Sequence, residues 1–142
     1  MKLKTFLCMF LSALVLFIVP SSQAVAVNAF DNQVSPMYAI AFDARSNLTI
    51  DGTRANCQSY ARGEDAVKIT ATQTLQKNVF LFYWSDYDNA SWTKTIQSNI
   101  FTMYNTKTIT SGTYRLKTVF TLTDKSGETE TITVYSQVQT LE

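Results

Sequence analysis

From Met37 onward the chain alternates apolar and polar residues with a period of two, and its apolar set is rich in Val, Ile, Phe and Tyr interleaved with Thr. A period of two sends successive side chains to opposite faces, and these residue types fit a pleated, half-buried surface, so the pattern predicts strands rather than helices. Seven strands are expected, over about 37–50 with an irregularity near Ala44 to Ser46, then 53–62, 66–77, 79–85, 92–103, 113–123 and 128–139. In the sixth, Tyr114, Leu116, Phe120 and Leu122 share a face opposite Arg115, Lys117 and Thr121; in the seventh, Ile132, Val134 and Val138 oppose Thr131 and Thr133. Sheets with one dry face each bury those faces against each other. The expected fold is therefore all-β, an immunoglobulin-like antiparallel β-sandwich, with a small antiparallel β-barrel as the competing arrangement.

The glycines read as punctuation. Asp51-Gly52, between Leu48-Thr49-Ile50 and Thr53-Arg54-Ala55, carries a hairpin signal. Gly63, Gly112 and Gly127 are likewise read as turn residues, where a positive φ costs glycine little.

One stretch breaks the alternation. Val79-Phe80-Leu81-Phe82-Tyr83-Trp84 is six consecutive apolar or aromatic residues, which as a strand would be dry on both faces. If Phe80, Phe82 and Trp84 enter the core, then Val79, Leu81 and Tyr83 point outward, and the reverse holds in the other register. Either another part of the chain covers the outer face, or that face is a contact surface. Tyr87 and Trp92 flank the neighbouring acidic loop and offer ring faces of the kind that stack on sugars or partner side chains. The candidate contact surface is thus Val79, Leu81, Tyr83, Tyr87 and Trp92, and the 79–84 strand is also the expected seam of a homo-oligomer.

The first residues change the compartment. Lys2 and Lys4 precede an uncharged apolar run that Pro20 ends, and small residues follow at the spacing a signal peptidase needs. A signal peptide over residues 1–26 is expected, with cleavage after Ala24 or Ala29 as alternatives to Ala26; residues 27–36 read as a mobile leader and 37–142 as a single domain. The protein is thus expected outside the cell, meeting the membrane only through its signal peptide. The run is shorter than the roughly 20 residues a spanning helix needs. Without Lys2 and Lys4 the mature chain has ten basic residues against eleven acidic ones, a net charge of −1. No charge argument for nucleic acid survives. Cys8 leaves with the signal, so Cys57 is the only mature thiol and no internal disulfide can form. Cys57 alternates with Asn56 and Gln58, which reads as a buried small hydrophobe.

The 142 residues include no histidine, which removes the commonest metal ligand and the Ser/His and Cys/His nucleophile arrangements. Asp86-Tyr87-Asp88-Asn89 begins like a calcium loop, but Ala90, Ser91 and Gln97 stand where an EF-hand needs Asn or Asp, Gly and Glu. Asp43, Glu64, Asp65, Asp86 and Asp88 are the carboxylates that could pair for acid/base work, and they read as solvated turn charge. No Gly-rich phosphate loop is present, and neither a cofactor nor a metal is expected.

Several segments carry a resemblance: Ser46-Asn47-Leu48-Thr49-Ile50, Ala55-Asn56-Cys57, Lys68 to Lys77, Trp92, Gly112-Thr113-Tyr114-Arg115-Leu116-Lys117 and Glu128-Thr129-Glu130-Thr131-Ile132-Thr133. In these the chain resembles small single-domain secreted proteins of Gram-positive bacteria (Firmicutes) of uncharacterised function. The resemblance implies a secreted, β-sandwich-like protein and supplies no catalytic residue. The expected function is a secreted, non-enzymatic binding module whose partner is a protein or a cell-wall glycan. The competing reading is a bacteriocin-like or membrane-active antagonist that turns the apolar strand against lipid.

Overall fold

Strands account for most of residues 39–142, which are the residues described in the computed structural model of the chain. The expected signal peptide and leader, 1–26 and 27–36, lie outside the described residues. Eight strands follow one another: β1 (Ala41–Asp51), β2 (Arg54–Gly63), β3 (Ala66–Phe80), β4 (Tyr83–Ile96), β5 (Ile100–Thr108), β6 (Gly112–Asp124), β7 (Thr129–Tyr135) and β8 (Gln139–Leu141). One sheet runs β1-β2-β5; the other runs β4-β3-β6-β7, with β8 also paired to β6. All pairings are antiparallel. The two sheets are not closed into a barrel, and the architecture is a β-sandwich.

Alternation decides which residues meet between the sheets. Ala55, Cys57, Ser59 and Ala61 of β2 are buried, as are Tyr114, Leu116, Thr118, Phe120 and Leu122 of β6. The pairing of β2 with β5 in one sheet and of β3 with β6 in the other is the immunoglobulin-like arrangement. Its corner is fixed by Tyr114, whose hydroxyl donates to the Thr110 carbonyl at 2.7 Å. A tyrosine near the start of the sixth strand that bonds back to the backbone just upstream is a hallmark of such sandwiches.

The interior is divided. One apolar cluster gathers Ile69, Ala71, Phe101, Phe120, Leu122 and Ile132 with their neighbours; the other gathers Leu48, Cys57, Leu75, Tyr114 and Leu116 with theirs. Between them runs a buried polar seam. Gln73 Nε2 donates to Ser59 Oγ at 2.7 Å, Ser59 shares a 2.7 Å bond with Thr118, and Thr118 shares a 2.9 Å bond with Ser46. Asn105 donates to Gln73 Oε1 at 2.7 Å, which completes the glutamine's bonding.

Four expectations are corrected. The predicted strand 79–85 does not exist as a unit: β3 runs on to Phe80, a turn intervenes, and β4 starts at Tyr83. The predicted strand 92–103 is split between two sheets, because Gln97-Ser98-Asn99 form the crossover from β4 to β5. The last predicted strand breaks at Ser136, whose side chain accepts from Leu116 N at 2.8 Å and donates to the Gln137 carbonyl at 2.8 Å; Val138, expected inside, is exposed. Gly63 does not have a positive φ. Its lack of a side chain serves close packing, since a Cβ there would stand 2.6 Å from the Ile40 carbonyl oxygen and 2.9 Å from Leu122 Cδ2.

Candidate functional site

The ladder between β3 and β6 ends at Lys77 and Tyr114, while β3 and β4 remain paired out to Phe80 and Tyr83. The hairpin therefore outruns its sheet. Leu81 and Phe82 form its two-residue loop, with Leu81 in the left-handed region at φ 45°. A two-residue loop needs such a residue to match the strands' twist, and glycine or asparagine usually supplies it. A branched side chain there carries backbone strain. Asn78 holds the loop from within, its Nδ2 donating to the Leu81 carbonyl at 2.8 Å.

The apolar run is thus a protruding tip rather than a two-faced strand. Val79, Phe80, Leu81 and Tyr83 are all strongly exposed, and Phe82 is 92% exposed. Just below the tip, the Arg115 guanidinium lies between two rings, 4.4 Å from the Trp84 ring centre and 4.3 Å from that of Tyr135. Arg115 Nε donates to Gln76 Oε1 at 2.9 Å, and Gln76 Nε2 donates to Asp86 Oδ1 at 2.9 Å. This chain of contacts fixes a cation and two amphipathic aromatics on the outer face of the larger sheet.

Of the five candidate contact residues, the tip brings together Val79, Leu81 and Tyr83. The other two lie elsewhere. Tyr87 sits in a bulge of β4, where the register jumps from Ser91 to Asp86 against Thr74 and Gln76; its ring meets Tyr114 edge-on at 5.3 Å. Trp92 is half-buried and packs against both apolar clusters. It faces inward because it pairs with Gln73, which is wholly buried. The acidic segment Asp86 to Asn89 lies within β4 rather than in a loop, and the aromatics next to it do not form a stacking platform. Sequence reasoning left Phe80 and Phe82 out of the surface, and it missed Arg115 and Tyr135 as the partners of Trp84. Adjacency of β3 to β6 and of β6 to β7 creates that contact, and no local pattern reveals it.

Five carboxylates are engaged in structural bonds, three of them among the candidates, namely Asp43, Asp86 and Asp88. Asp88 pairs with Lys107 at 3.0 Å, and Asp43 with Arg45 at 2.8 Å. The Glu130 carboxylate accepts from the backbone amides of Ala39, Ile40 and Ala41 at 3.1, 2.9 and 2.9 Å, and so ties the start of β1 to β7. Asp124 accepts from Ser126 and Glu128 in its own turn, and the Ser126 bond first of all holds its carboxyl below the usual carboxylate range. Among the described residues no three potential ligands cluster closely enough to hold a metal. A shallow depression of about 380 Å³ on the outer face of the smaller sheet is lined by Asp43, Arg45, Asn47, Gln58 and Tyr60. Gln58 Nε2 donates to the Tyr104 hydroxyl at 3.1 Å beside it.

No family model matches the chain, and no curated protein matches it. Among solved structures it is similar to the sporulation control protein Spo0M from Bacillus subtilis, at 15% identity and a TM-score of 0.36, over 70% of this chain and 49% of that one. It is also similar to OgpA from Akkermansia muciniphila, at 10% identity and a TM-score of 0.38, over 74% of this chain and 31% of that one. The chain thus spans about half the length of the first and about a third of the second, and no residue role is carried over from either.

Proposed function

We propose that the protein is a secreted, non-enzymatic interaction module of a Gram-positive bacterium, and that the β3–β4 tip is its contact element. The observation that carries this reading is the run Val79–Tyr83, five exposed apolar residues held on a protruding, strained turn. Exposed apolar side chains gathered in one place mark contact sites, whereas scattered ones do not. The engagement of Asp43, Asp86, Asp88, Asp124 and Glu130 in structural bonds also supports a role without catalysis.

The test is retention on intact Gram-positive cells. Wild-type protein should stay with washed cells, and the double variant Leu81→Gly, Phe82→Ser should fold equally well and wash off. Equal retention of the two would remove the tip from the reading. The depression at Asn47, Gln58 and Tyr60 supports a second reading, with a cell-wall glycan held there by amides and a tyrosine ring. In that case Tyr60→Ala would abolish binding to purified wall polysaccharide while the tip variant kept it.

A further inference from the structure

We infer that the β3–β4 tip inserts into the headgroup–acyl boundary of a phospholipid bilayer. The inference rests on the reading of the tip as a contact element and names its partner. The reach is right: three residues, Asn78, Val79 and Phe80, continue β3 past its last rung with β6, which at about 3.3 Å each is roughly 10 Å. Interfacial apolar surfaces sink about 5–10 Å into a leaflet.

The chemistry is layered along the same direction. Leu81 and Phe82 occupy the extremity, with Val79, Phe80 and Tyr83 next to them. Trp84 comes next, sharing Arg115 with Tyr135, and Lys77 ends the ladder with β6. Hydrocarbon, then aromatics with a polar handle, then cations is the order of a leaflet read outward from its core. One polar group of the turn is already satisfied away from water, since the Leu81 carbonyl accepts from Asn78 Nδ2. A groove on a protein would not require this grading.

Charge makes the inference sharper. Around the base of the tip Lys107 is ion-paired with Asp88, the Lys77 ammonium donates to the Ser111 carbonyl and the Thr110 hydroxyl, and Arg115 is held between two rings and bonded to Gln76, which in turn donates to Asp86. Binding should therefore be driven by apolar contact, with little dependence on anionic lipid or salt.

The experiment uses the exported chain in a Trp92→Phe background, which leaves Trp84 as the only indole of the two tryptophans. With phosphatidylcholine vesicles, the Trp84 emission should shift to the blue and the protein should sediment with the vesicles, still doing so in about 0.5 M salt. Adding Leu81→Gly and Phe82→Ser should weaken vesicle binding at least tenfold, about the loss expected when a large apolar side chain no longer leaves water, with a melting temperature no lower than the parent's. Absence of vesicle binding by the parent, or equal binding by the tip variant, overturns the inference. A tip-dependent dimer without vesicle binding also overturns it, and assigns the tip to a second copy of the chain. Cell retention lost with the tip, but no vesicle binding, would sink the lipid assignment alone; equal retention of the tip variant would sink the underlying reading.

Discussion

Cys57 shows what the sandwich interior does to a single side chain. It is 2% exposed, paired in register with Leu48 and packed in the second apolar cluster. Burial disfavours the thiolate and pushes the thiol up to about 12. An unfolded cysteine ionises near 8.5, so between the two values the unfolded chain binds fewer protons than the native one. Stability should then be unaffected by this group below about pH 8, and fall above about pH 9 with a slope approaching 1.4 kcal/mol per pH unit. Urea unfolding of the wild type and of Cys57→Ala across this range isolates the thiol from other groups that titrate there. The difference in stability between them should narrow as pH rises, and a constant difference would mean that the thiol is not shielded. This burial was legible in the sequence, because Cys57 alternates with Asn56 and Gln58 and the same parity places Ala55, Ser59 and Ala61 inside. The elevated thiol follows from that parity alone, with no knowledge of which strand lies opposite.

Parity fails as a guide at the β3–β4 hairpin. Six apolar residues in a row satisfy every compositional test for a strand, and nothing in Val79 to Trp84 signals a turn, because the position that needs a left-handed backbone holds Leu81. With Gly or Asn there the turn would have been readable. The crossover after Ile96 was hidden for a related reason: Gln97-Ser98-Asn99 interrupt an otherwise strand-like run without Gly or Pro. The glycine-marked ends at Gly52 and Gly127, by contrast, lie where the sequence placed them. The strain at Leu81 yields a prediction at the scale of this element. Leu81→Gly should relieve a left-handed penalty of about 1 kcal/mol, and it removes a side chain that buries little within the molecule. Its urea midpoint should rise at an unchanged slope. A lower midpoint would show that Leu81 packs within the fold and that the turn is not strained. A turn that becomes more stable when its apolar residue is removed is the behaviour expected of a contact element rather than a structural one.

The sandwich as a whole is organised by the seam that separates its two apolar clusters. Ser46 and Ser59 are a paired rung of the smaller sheet, Gln73 and Thr118 a paired rung of the larger, and the bonds among them join the sheets face to face. A buried glutamine could bond well in one alignment of the sheets only, whereas the flanking Ala, Leu and Phe side chains tolerate small slides. Apolar contact therefore supplies the stabilisation and the seam fixes where the sheets meet. In the sequence Gln73 is merely one polar residue in the inward row Ile69, Ala71, Leu75; its meaning depends on Ser59 and Thr118, 14 and 45 residues away, and could not be read locally. Gln73→Met keeps the volume but takes one of two partners from Ser59 and the glutamine partner from Asn105, and should cost about 1–3 kcal/mol in urea unfolding. Replacing the whole rung set, with Ser46→Ala, Ser59→Ala, Gln73→Met and Thr118→Val, removes its donors and acceptors together and leaves only Asn105, which is half-buried and can turn to water. It should recover most of that loss, while the inter-sheet contacts of Trp92 lose their single setting, seen as weakened near-UV circular dichroism and broadened side-chain resonances. If the fourfold variant kept wild-type spectra, alignment would come from apolar packing alone and the seam would be only a satisfied polar cluster.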